Sequence, residues 1–115
     1  MVGQMNIFDF AQEAEDLETL PLEEMVARIA DATGLKFKYA YETQDGAKYT
    51  AKIKNVVVTL CYSRALWKER EGQRFISTDY VVGGRWGQGG AFFSVADAIA
   101  DLMHDLEELR EKGVI

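Results

Sequence analysis

Five lysines, Lys36, Lys38, Lys48, Lys52 and Lys54, fall in a stretch where apolar and polar residues alternate with a period of two. On a strand such spacing sends ammonium groups to one side and apolar groups to the other. Taking Gln44-Asp45-Gly46 as a three-residue hairpin loop, with Gly46 as its left-handed residue, aligns apolar with apolar. That register faces Glu42 with Lys48, Lys38 with Lys52, and Lys36 with Lys54. Like charges directly opposite one another are destabilising, so two consecutive lysine pairs call for an anion. Nucleic-acid phosphate, an acidic partner protein or the chain's own acidic N-terminal arm would serve. The plainer reading is a hydrated row that blocks pairing at a sheet edge.

A second set is Trp67 and Trp86 with Arg64, Lys68, Arg70, Arg74 and Arg85, in or beside polar and glycine-rich connections. Exposed Trp with Arg is the composition of interface hot spots and of base-stacking platforms; the plainer reading is that each Trp folds back to cover a sheet edge. A third set, Asp97, Asp101, Asp105 and Glu108, is spaced four, four and three. All four would share the outer face of one helix, where a row of carboxylates imitates a phosphate backbone, or is simply solvated. His104, the only histidine, sits one turn from Asp101 and from Glu108 and reads as an ion-pair partner. Cys61 lies inside an apolar run and reads as an inert core thiol. The run Gly83-Gly84-Arg85-Trp86-Gly87-Gln88-Gly89-Gly90 lacks the order of a phosphate-binding or dinucleotide loop and reads as a flexible connection or bulge. With one histidine and one cysteine, no nucleophile–base pair, metal set or cofactor motif emerges, and the expectation is a protein that is not an enzyme.

The elements that must position these groups follow from periodicity. Pro21 can start a helix in which Leu22, Met25, Val26, Ile29 and Ala30 form one face, with Gly34 as its stop. Upstream, Phe10, Ala14 and Leu17 suggest a short acidic helix over residues 8–18, or a frayed arm. Two alternating strands follow from Leu35 to Lys54. Val56 to Tyr62 is apolar on both faces, as in a well-covered central strand. Residues 64–72 read as a connection and 75–82 as a further strand. Ser94 with Asp97 caps a last helix whose stripe is Val95, Ala98, Ile99, Leu102, Met103, Leu106 and Leu109, ended by Gly113. The expected fold is α+β: an antiparallel sheet of three to four strands with two main helices on one face. Residues 1–20 form an acidic arm or short helix, and residues 21–115 a single domain.

Charge is sorted along the same divisions: −7 over residues 1–34, +5 over 35–93 and −4 over 94–115. The picture is a basic sheet flanked by acidic helices. The single cysteine favours a reducing, cytoplasmic compartment, and no apolar run approaches the ~18 residues needed to span a bilayer.

The stretch Leu22-Glu23-Glu24-Met25 through Gly34-Leu35-Lys36-Phe37-Lys38-Tyr39, with Gly89-Gly90, Ser94 and Asp97-Ala98 further on, resembles the double-stranded-RNA-binding domain in its order of elements. The resemblance implies a three-stranded antiparallel sheet with two helices on one face. It departs from that family where a lysine-rich motif would grip phosphates: Ser94-Val95-Ala96-Asp97-Ala98 is acidic here, and an extra strand and a long connection intervene.

Small size and charge-polarised faces suit a non-enzymatic inhibitor or accessory protein of the phage or mobile-element kind. It would act on a nucleic-acid-handling complex, with an anti-CRISPR-type blocker as the specific form. Trp67, Trp86, Arg64, Arg70, Arg74 and Arg85 would anchor the protein partner, while Asp97, Asp101, Asp105 and Glu108 compete for a basic channel. The alternative is a single-stranded nucleic-acid or RNA binder using Lys36, Lys38, Lys48, Lys52 and Lys54. A subunit that dimerises through its sheet is a third reading.

Overall fold

Helix α1 runs from Leu22 to Thr33, immediately after Pro21, whose fixed φ of −59° and extended ψ of 145° make it the residue that enters the helix. Glu23 and Glu24 occupy the first turn, where carboxylates suit the positive end of the helix dipole. Met25, Val26 and Ile29 are buried, and Gly34 at φ 78° closes the last turn. The computed structural model describes residues 17–43, 46–87 and 89–115, with Trp86 entering through its backbone alone. The expected helix over residues 8–18 lies largely outside the described residues. At its described end, Leu17 is buried and its carbonyl accepts a 2.5 Å hydrogen bond from the Tyr62 hydroxyl.

Strands β1 (Lys38–Thr43), β2 (Gly46–Ile53), β3 (Val56–Arg64) and β4 (Arg74–Val82) form an antiparallel meander. Two short strands, β5 (Arg85–Trp86) and β6 (Gly90–Phe92), pair with opposite ends of β4. Among the described residues the sheet thus has six strands, which corrects the expected three to four. The glycine-rich stretch is not a free loop. Gly83 and Gly84, at φ 56° and 85°, form the two-residue turn between Val82 and Arg85, a geometry that side chains resist.

The first hairpin also departs from its expected register. Thr43 pairs with Gly46, Tyr41 with Lys48, and, beyond a bulge at Ala40, Tyr39 with Tyr49 and Lys38 with Thr50. The shorter connection puts Tyr41 on the lysine side, and the extra residue in the bulge returns Tyr39 to the tyrosine side. Gly46 is not the left-handed loop residue. It is the first residue of β2, where a Cβ would run into the Tyr62 carbonyl oxygen.

Helix α2 (Val95–Glu111) begins at Ser94, whose Oγ accepts a 3.1 Å hydrogen bond from the Asp97 amide. Val95, Ala98, Leu102, Leu106 and Leu109 are buried, whereas Met103, expected in the stripe, is 49% exposed. Both helices pack on one face of the sheet. Their stripes join Ala51, Val56, Val58, Leu60, Tyr62 and Ile76 in one core, and the α+β class stands. On the other face, Val57, Thr59 and Cys61 of β3 are only half-buried. That corrects the expectation of a central strand covered on both sides.

Candidate functional site

The Trp/Arg set is built on the corner where β3 turns into β4. Arg64 pairs with Arg74 at the last rung of that ladder, and residues 65–73 project beyond it. The connection bonds to itself. Ala65 donates to the Gln73 carbonyl at 2.8 Å, Gly72 to the Ala65 carbonyl at 3.0 Å, and Arg70 to the Trp67 carbonyl at 3.0 Å within a single 3₁₀ turn, Lys68–Arg70. Buried Ala65 anchors its base, so the chain presents its next two side chains outward: Leu66 is 86% exposed and Trp67 42%. Trp67 stands edge-on to Phe75 (5.2 Å between ring centroids) and to Phe93 (5.7 Å). Each such pair contributes about 0.5–1.5 kcal/mol beyond the area it buries. The Arg70 guanidinium lies 4.3 Å over the Phe93 ring and 3.2 Å from Gln73 Oε1.

On the helix side of the same corner, Glu18 organises the remaining arginines. It accepts from the Arg74 amide at 2.9 Å and lies 3.6 Å from Arg64 Nη1, which also donates to the Gly72 carbonyl at 2.7 Å. The Arg74 guanidinium sits 4.9 Å over the Tyr62 ring. An open cleft of about 560 Å³ runs between Glu18, Arg70, Gln73, Arg74 and Phe93. The corner therefore offers an apolar tip backed by rings, with fixed guanidinium groups beside it.

The structure brings Trp67, Arg64, Arg70 and Arg74 together at this corner. Arg85 and Trp86 pair with Val82 and Val81 at the far end of β4, eight residues and about 26 Å away along the strand. Leu66, Phe75 and Phe93 complete the patch and were not singled out from sequence. Phe75 carried a signal: in β4 it alternates with Ser77 and Asp79, so a bulky ring falls on the polar side of the strand.

The lysines divide. Lys38, Lys48 and Lys52 lie on the uncovered face of the sheet, Lys36 precedes β1, and Lys54 sits in the β2–β3 turn at φ 53°. No lysine pair forms: Lys38 faces Thr50, Lys48 lies between Tyr41 and Cys61, and Lys52 faces Val57. The repulsion that called for an anion is thus absent. Lys48 Nζ lies 5.4 Å from the Tyr41 ring centroid, and its hydrogen bond to Tyr41 is the main cause of a raised pKa.

The carboxylate row lies on α2, against the other face of the sheet. Asp97 and Glu108 are exposed, but Asp101 and Asp105 are half-buried on the flank of the helix. Burial, followed by the charge and hydrogen bond of Asp101, pushes Asp105 up to about 6. His104 pairs with Glu108 at 3.6 Å, while Asp101 bonds Asp105. Among the described residues, no group of His, Cys, Asp and Glu is arranged to hold a metal ion, and no helix is long and apolar enough to cross a membrane.

No family model, curated protein or solved structure matches this chain. The reading of its function rests on the geometry above.

Proposed function

We propose that this chain is a small non-enzymatic binding protein that docks through its β3–β4 corner on a protein of a nucleic-acid-handling complex. It would act there as an inhibitor or accessory factor of the phage or mobile-element kind, with an anti-CRISPR-type blocker as the specific form. One observation carries the docking: Leu66 and Trp67 stand exposed on a self-bonded loop, with Phe75 and Phe93 packed against Trp67 and Arg70 over Phe93. A preorganised aromatic anchor loses little conformational entropy on binding, and Trp with Arg is the pairing that dominates interface energies. The nucleic-acid setting is supported by two faces of opposite sign, lysines on the sheet and carboxylates on α2. A cytoplasmic location fits the lone thiol of Cys61.

Trp67 packs on Phe75, which the β3–β4 ladder places on the uncovered face of the sheet, whereas Asp101 and Asp105 lie on α2 against the other face, so variants at one leave the other intact. Full-length protein captures its partner from a host extract; Trp67→Ala and Leu66→Asp abolish capture of that species, and Asp101→Lys with Asp105→Lys keeps it. Capture that survives both corner substitutions would overturn the assignment of this surface.

A further inference from the structure

The uncovered sheet face is a second surface, basic toward β1 and β2, which meets the aromatic corner only at Phe75, at the start of β4. No described side chain on it is buried, from Lys38 and Tyr41 on β1 to Val81 on β4, whereas the opposite side of the same strands supplies the core. Its cations gather on β1 and β2: Lys38, Lys48 and Lys52, none of which forms an ion pair among the described residues. Asp79 is the one carboxylate that the β2–β3–β4 ladders place on this side. The middle of the face carries the hydroxyls of Thr50, Thr59 and Ser77, with Val57 and Cys61 of β3 among them. At its β1 margin the Tyr41 ring is 53% exposed beside Lys48.

We propose that this face binds single-stranded nucleic acid. Phosphates would lie along Lys38, Lys48 and Lys52, bases would cross the hydroxyls, and one base would stack on Tyr41. Three features favour this occupant. An apolar partner helix would bury these hydroxyls without acceptors, which costs free energy, whereas a nucleic-acid strand brings acceptors at every residue. An exposed ring beside an ammonium can stack only on a base whose face is free, which excludes paired strands. The overall charge of −6 does not oppose it. The molecule is 26 Å across its thinnest direction, and charges further apart than about 8 Å are largely screened at physiological salt.

This inference is independent of the corner reading, and each can fail alone. Fluorescence anisotropy with labelled twelve-nucleotide RNA and DNA strands tests it. Three phosphate contacts predict a slope of about −2 in log affinity against log salt, or about 100-fold weaker binding over a tenfold rise in salt. Lys52→Glu should flatten that slope by at least about 0.7, and replacing all three lysines by alanine should remove the dependence. Tyr41→Ala should cost about tenfold. Binding of RNA but not DNA, or the reverse, identifies which strand is the ligand. Three results would overturn the proposal: no binding of either strand at low salt, a duplex bound as tightly as its single strands, or an oligoglutamate peptide displacing the strand and binding more tightly.

Discussion

Replacing Asp105 by asparagine should stabilise the protein near neutral pH and do nothing in acid. The carboxyl lies half-buried on α2, hydrogen-bonded to Asp101 one turn away. Burial is the largest cause of its elevation to about 6 from a reference of 3.8; the neighbouring Asp101 and Glu108 charges add to it, and His104 opposes it. Because the folded state holds this proton more tightly than the unfolded chain, stability falls as pH rises from 3.8 to about 6. The whole cost is present above that window and absent below it. A shift of roughly two units sets an upper limit of about 3 kcal/mol, and solvent screening at this half-exposed carboxyl reduces it to about 1 kcal/mol. Asparagine removes the charge and keeps a donor for Asp101. The expected gain at pH 7.5 is therefore about 1 kcal/mol, or about 4 °C in Tm for a domain of this length. Thermal and urea unfolding at pH 7.5 and at pH 3.5 measure it. A neutral or destabilising effect at pH 7.5, or the same gain at both pH values, would refute the reasoning.

Thr78 is 3% exposed and its Oγ1 has no hydrogen-bond partner among the described residues, so Thr78→Val should raise stability by about 1 kcal/mol in urea denaturation. Tyr62→Phe removes the buried bond to the Leu17 carbonyl and should cost about 1–2 kcal/mol, with faster amide exchange over residues 17–20 as its local signature. Ser94→Ala deletes the cap of α2 and should lower stability by about 1 kcal/mol; Ser94→Asp should restore most of it.

Much of this was legible in the chain because the periodic signals were long. The stripe from Val95 to Leu109 and the cap at Ser94 could be read directly, and so could α1 between Pro21 and Gly34. The hairpin could not. A three-residue loop keeps both Tyr39 and Tyr41 off the lysine side, whereas the shorter connection with a bulge at Ala40 returns only Tyr39, and the alternation does not distinguish the two. The observed solution separates every lysine pair, so the charge argument that first drew notice to this face lapses while the face itself remains basic. Strands β5 and β6, of two and three residues, are too short to show any period. Asp101 and Asp105 each follow a buried residue, Ala98 and Leu102, by three positions. That places each about 60° around the helix from that buried residue, and sequence reasoning put them on the outer face by weighing only their spacing from one another. Of the candidate site, the Trp67 and Arg cluster was visible as composition. Its separation from Arg85 and Trp86 by the length of β4 required the fold.

Hydrogen exchange on the chain alone and in complex with its captured protein partner tests the central claim most directly. Docking through the β3–β4 corner predicts new protection of the amides across residues 65–73 and at Phe93, with α2 unchanged. Protection confined to α2, with residues 65–73 exchanging as fast as in the free protein, would contradict it.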